Sequence, residues 1–233
     1  MREKAILFGK FHTLTGILTE PDAPAEAFLK GRGLRKRTLL RIEREGPVEL
    51  VEHLTPEAAL ARLPVLFDQH IRRWARTRTR SFFENEAVRE VYRLWAQELG
   101  ERVAFWELRL REQPVATLFG FAHNRRLVVH TISFDVDHHK LHCGLYCIYR
   151  VMRTLRAKGV EWVDFPRGAE RFKFYFADQK AVNYEFHWLR SWKARCAAGG
   201  FLAAKDLARN WPPAARVARW MGYNLESPEV MRA

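Results

Sequence analysis

Two short stretches hold most of the residues that could do chemistry. The first is WVDFPRGAERFKFYFADQ, Trp162 to Gln179. An apolar, strand-like run meets Asp164, breaks at Pro166-Arg167-Gly168 and restarts with Glu170 and Lys173 three residues apart. At helical spacing those two side chains share a face. The bland reading is a surface turn followed by an exposed ion pair worth about 0.5 kcal/mol. The functional reading is a strand that delivers Arg167, Glu170 and Lys173 to a crevice, because parallel strand ends open onto ligand sites in open sheets. The second stretch is DVDHHKLHCGLYC, Asp135 to Cys147. Its Asp, His and Cys residues are metal-ligand types. His138/His142 and Cys143/Cys147 are each four apart, but the pairs are offset and match no zinc spacing, so no metal is expected. A thiol at a helix start, as Cys143 would be, can be activated by the helix dipole. Gly144 marks that helix start, and a first helical turn exposes backbone N–H groups that suit phosphate.

The elements that must position these residues follow from periodicity. RVAFWELRLRE, QPVATLFGFAH and RRLVVHTISFDV are separated by tight turns at Glu112-Gln113-Pro114 and His123-Asn124, which predicts an antiparallel meander. A helix from about Cys143 to Ala157 follows, and VEWVDFP after it reads as a strand parallel to its predecessor. Upstream, Thr55-Pro56-Glu57 opens a helix with a cap, a proline and an acid in the right order. A second helix runs from about Asn85 to Leu99. LRKRTLLRIEREG reads as a basic helix stopped by Gly46-Pro47, and VELVEHL as a half-buried strand. YEFHWLRSW is a late strand, and Ala203 to Met221 is helical around Pro212-Pro213. Pro21, Pro24, Gly31 and Gly33 punctuate the start of the chain, which reads as irregular. The expected fold class is α+β, an α/β sandwich with a mixed sheet flanked by helices. The expected organisation is an irregular segment 1–33, one domain over 34–200 and a helical tail over 201–233.

Composition narrows the function. The chain has 233 residues, 48% of them hydrophobic, enough for one large core. Lys plus Arg is 40 against 27 Asp plus Glu, a net charge of +13 that favours phosphate-bearing partners. No apolar run reaches the roughly 18 residues of a membrane helix, and the N-terminus lacks the pattern of a signal peptide. Three cysteines do not make a disulfide scaffold, so a cytoplasmic protein is expected.

The ordered series LRKRTLLRIEREGPVELVEHLTPEAAL, LFDQHIRRW, ELRLREQPVATLFGF, RRLVVHTISFDVDHHKLHCGLY and LRAKGVEWVDFPRGAERFKFYFA resembles the GNAT acyltransferase fold. It is most similar to the GNAT domain of CelD-like proteins linked to cellulose biosynthesis and of relatives of the Fem peptidoglycan transferases. The resemblance covers about Leu34 to Ala177, and its ending, DF-x-x-G-x-E-x-F-K, is its most specific part. Two features depart from the pattern. The GNAT pyrophosphate loop often has a Gln or Arg and two glycines, and here only Gly144 can be placed; the CelD-like Ser-Pro-Gly is His142-Cys143-Gly144. Fem transferases usually carry two such domains, and this chain has room for one.

The resemblance implies acyl transfer from acyl-coenzyme A, acetyl-coenzyme A in the simplest case, to an amine or hydroxyl, such as one on a cell-envelope or polysaccharide precursor. The donor is a substrate, with no tightly bound cofactor. A free strand edge at VVHTISF would hold its pantetheine, and the N–H groups of Cys143, Gly144 and Leu145 its pyrophosphate. The base would come from a strand end: Glu107, Asp135 or Glu170. Lys173 would bind an anionic acceptor or offset transition-state charge, and Tyr175 would protonate the departing thiolate. Arg167, Gly168 and Glu107 would lie on the acceptor side. A Fem-like transferase would take aminoacyl-tRNA instead, for which the basic clusters Arg32–Arg44 and Arg72–Arg80 are suited. A non-enzymatic nucleic-acid-binding protein would also explain the charge, but no nucleic-acid motif is present.

Overall fold

The computed structural model describes residues 5–18, 36–168, 170–189, 191–210 and 213. Its centre is the expected meander: β3 (Val103–Leu110), β4 (Gln113–His123) and β5 (Arg126–Phe134), paired antiparallel. The turns between them sit one or two residues from the expected positions, at Arg111-Glu112 and Asn124-Arg125. All four of these residues have positive φ, between 48° and 67°. Positive φ at both central residues is the type I′ hairpin, whose twist matches that of the strands. β2 (Val48–His53) pairs antiparallel on the far edge of β3. On the other side, β6 (Trp162–Phe165) runs parallel to β5, as expected for a strand that follows a helix.

The sheet has seven strands in the order β2-β3-β4-β5-β6-β1-β7. The two strands not yet given are β1 (Ala5–Ile17) and β7 (Gln179–Trp188). β1 corrects the reading of the chain's start as irregular. Its last four residues, Leu14–Ile17, pair antiparallel with β6, and Thr15 Oγ1 donates to Asp164 Oδ1 at 2.5 Å. Gly16 leaves room for the Phe176 carbonyl, which a Cβ there would strike. The sequence hid this strand because its partner lies about 150 residues away. By contacts the chain forms two compact units, residues 14–180 and a smaller one made from the two ends of the chain.

Helices cover both faces of the sheet in the larger unit. The expected basic helix is a single turn, α1 (Lys36–Leu39), running into a 3-10 turn, Leu40–Arg44. α2 (Pro56–Trp74) starts as read: Thr55 Oγ1 accepts from the Ala58 N–H. α3 (Glu86–Leu99) is capped by Asn85, which accepts from the Ala87 N–H at 3.0 Å. Both lie on one face, where Leu66, Phe67, Phe83 and Tyr92 bury Phe105 and Phe119. α4 (Cys143–Ala157) lies on the other, where Ile148, Val151 and Met152 pack with Trp106, Leu118 and Phe165. α5 (Trp192–Asn210) begins before the expected Ala203, and the expected helix beyond Asn210 lies outside the described residues apart from Pro213. Among the described residues no helix is long and apolar enough to cross a membrane.

Candidate active site

β5 and β6 stay together only briefly. Arg126, Leu127 and Val128 pair with Trp162, Val163 and Asp164, and then the strands part. β6 ends at Phe165, and Pro166 and Gly168 (φ 118°) turn the chain away. β5 runs on to Phe134, so from Val129 onward one of its edges has no strand partner among the described residues. An edge of this kind presents backbone N–H and C=O groups to whatever lies beside it. The parting coincides with a β-bulge. Phe119 faces Thr131 and Gly120 faces Val129, so His130 is the extra residue. A bulge bends its strand and sharpens the local twist. Gly120 permits the close approach, since a Cβ there would collide with the Val128 carbonyl.

At the far end of the open edge stands the first turn of α4. Asp135 ends β5 by donating its N–H to the Val115 carbonyl, while its Oδ1 accepts from the Asp137 N–H and its Oδ2 meets His138 Nδ1, both at 3.0 Å. Burial works to raise the Asp135 carboxyl, but the Asp137 N–H, His138 and Arg72 outweigh it and hold it below the usual range. His142, in the left-handed region (φ 54°, ψ 38°), then turns the chain into the helix. The first backbone bond of α4 runs from the Tyr146 N–H to the His142 carbonyl, so the N–H groups of Cys143, Gly144 and Leu145 precede the helical ladder. Gly144 rests on the Phe134 ring, where a Cβ would come within 3.2 Å. Arg73, from the end of α2, lays its guanidinium over the same ring at 4.7 Å and reaches the Ile132 carbonyl at 3.5 Å. Burial lowers the Arg73 pKa, and the Glu170 carboxylate works against that shift.

The loop after β6 supplies the third wall. Glu170 and Lys173 do pair, at 2.6 Å, but this is no surface ion pair: Lys173 is 1% exposed, while the Glu170 side chain is 55% exposed. Lys173 Nζ also donates to the carbonyls of Pro166 (2.7 Å), Arg167 (3.3 Å) and Gly168 (3.3 Å). A single ammonium therefore gathers the turn around itself. Arg167 and Gly168 lie exposed on that turn.

These features coincide with one family. The GNAT acetyltransferase domain model matches residues 32–174. The chain belongs to the GNAT family. No curated protein matches it in sequence. Among solved structures, FemX shares the fold with a TM-score of 0.57 at 8% identity, over 83% of this chain and 68% of that one. A C-terminal domain assigned to a lysylphosphatidylglycerol synthetase of Agrobacterium fabrum gives 0.54 at 16%, over 88% and 66%. The L-PGS structure from Bacillus licheniformis gives 0.54 at 13%, over 85% and 66%. This GNAT chain thus spans about two-thirds of the length of each.

Other residues that the sequence singled out lie elsewhere in the GNAT domain. Glu107 is fully buried on β3, two strands from the open edge. Arg62 donates to its Oε2 at 2.7 and 2.9 Å, and Arg109 to its Oε1 at 2.6 Å. Tyr175 is half-buried against the core. Cys143 is buried, its thiol pushed up to about 12 by desolvation, so it is no thiolate at neutral pH. Among the described residues no three His, Cys, Asp or Glu side chains gather around a metal position. Sequence reasoning took Arg73 only as part of the basic cluster Arg72–Arg80, and it passed over Phe134, Tyr92 and His130. The only signal for the last was a histidine inside the strand VVHTISF.

Proposed function

We propose that this GNAT domain transfers an acyl group from acyl-coenzyme A to an amine or hydroxyl acceptor. The observation that carries the reading is the open edge of β5 leading to the first turn of α4. An extended, amide-bearing donor arm can join such an edge through backbone hydrogen bonds. The N–H groups of Cys143, Gly144 and Leu145 suit its phosphates, and Gly144 brings that turn against the strand end without a side chain between. The thioester is already activated, so the protein has to orient the reactants and manage one proton. Arg73 supplies a fixed positive charge beside the edge, suited to the oxygen that gathers negative charge during attack. Arg167, Gly168 and Glu170 form the rim on the acceptor side, and Lys173 holds that rim in shape. The sequence resemblance to Fem-type and CelD-like domains favours a cell-envelope or polysaccharide precursor as acceptor.

Calorimetric titration with acetyl-coenzyme A tests the reading. One molecule should bind with a Kd of about 1–100 μM. Gly144→Val, which pushes a side chain into Phe134 and across the first turn, should weaken binding at least about tenfold. Wild-type protein that binds no acetyl-coenzyme A would overturn the donor assignment. Aminoacyl-tRNA is the second reading of the donor, favoured by the shared fold with FemX and the net charge of +13.

A further inference from the structure

We infer that His130 is the general base of acyl transfer, set beside the open edge of β5 by the bulge and aimed into an apolar cleft against α3. The inference rests on the acyl-transfer reading above. His130 is the residue that the bulge inserts, two positions past the last β5–β6 pair. The insertion puts His130 and Thr131 on the same side of the strand, and both reach Tyr92 of α3. Tyr92 Oη lies 2.8 Å from His130 Nδ1 and 2.5 Å from Thr131 Oγ1. With the proton on Nδ1, the imidazole donates to the Tyr92 oxygen and the Tyr92 hydroxyl donates to Thr131. Nε2 takes no part in these bonds and keeps its lone pair.

The surroundings suit a base. Phe82, Val88, Val91, Tyr92, Trp95 and His130 line a cleft of about 440 Å³. The groups facing the imidazole are Tyr92 and Trp95 from α3 and Phe121 from β4. Of these only Tyr92 titrates, at about 12. Desolvation against these rings lowers the His130 pKa from its ordinary value, which favours the neutral ring a base needs, while the residue itself stays open to solvent. The carboxylates are differently placed: Asp135 is engaged by His138 and the Asp137 N–H, Glu170 by Lys173, and Glu107 by two arginines.

The step balances. The acceptor's N or O lone pair forms a bond to the thioester carbonyl carbon, and Nε2 takes the acceptor's proton. The C–S bond then breaks with its electron pair on sulfur, and the proton returns from His130 to give the free thiol. The apolar walls of the cleft point to an acceptor whose nucleophile is carried on an apolar or aromatic body.

The experiment uses the full chain, acetyl-coenzyme A and phenethylamine, a primary amine with an aromatic body, and follows thiol release. His130→Gln should lower kcat/KM about 100- to 10,000-fold while the Kd for acetyl-coenzyme A stays within about twofold of wild type. In wild type kcat/KM should fall on an acidic limb with its midpoint below about pH 6.5, and that limb should vanish in His130→Gln. Tyr92→Phe removes the tether but not the base; it should keep the limb, shift its midpoint and lower kcat about tenfold. His130→Gln with turnover within threefold of wild type, or with the acidic limb intact, overturns the assignment. Wild type that binds acetyl-coenzyme A but releases no thiol overturns it while leaving the donor site standing. Wild type that binds no donor overturns the acyl-coenzyme A reading itself.

Discussion

At the scale of single residues, Lys173 shows how far spacing can be read. Its pairing with Glu170 was legible from the interval of three, and the pair is present. Its burial was not, because that depends on the Pro166–Gly168 carbonyls folding back over it. The consequence reverses for stability. A surface pair contributes little, but removing a buried ammonium leaves three carbonyls short of a donor. Lys173→Met should therefore lower unfolding free energy by about 3 kcal/mol in urea titrations. A loss under about 1 kcal/mol would show that the turn holds itself. Gly144 was legible as a helix start, yet its contact with Phe134 was not, since nothing local says which ring lies beneath it.

Among the elements, the meander, the three long helices and the parallel β6 could be read from periodicity, caps and connection length. β1 could not, because a strand that completes its pairing with residues 162–165 leaves only a weak local pattern. The bulge was also hidden. Burial still alternates along β5, but Leu127 and Val129 belong to the α4 side while Thr131 reaches Tyr92 on the α3 side. The α2–α3 connection, which carries Phe82 to the cleft, is pinned by buried His70, whose Nδ1 lies 2.7 Å from Ser81 Oγ. Burial lowers the His70 pKa to about 4. The folded state resists protonation that the unfolded chain accepts near its ordinary 6.5. Stability from this group is then complete above about pH 6.5 and is lost as pH falls toward about 4, on the order of 3 kcal/mol in all. Urea midpoints measured from pH 7 to pH 4 should fall more steeply in wild type than in His70→Asn. Parallel curves would remove His70 as the cause.

For the whole molecule, the charge of +13 is a weaker guide to partners than it looks. In the cluster Arg72–Arg80, Arg72 meets Asp68, Asp135 and Asp137, Arg76 meets Asp137, and Arg80 meets Glu84. Those arginines brace the loop that ends β5 and the start of α3. If tRNA is nonetheless the donor, its affinity should drop about a thousandfold between 50 and 200 mM salt. Acetyl-coenzyme A, with few phosphates, should lose less than about tenfold over the same range. A flat tRNA response would exclude the nucleic acid as a specific partner. The single inserted residue in β5 has a reach of its own. Deleting His130 would put the strand back in step with β4 without turning over any side chain after it, because Val129 already faces Gly120 and Thr131 already faces Phe119. Phe134 would stay against Gly144, and Thr131 would stay at Tyr92. The deletion removes only the imidazole and the bend that the extra residue gives the open edge. A chain lacking His130 should therefore fold, keep its pairing with β4 and be as inactive as His130→Gln.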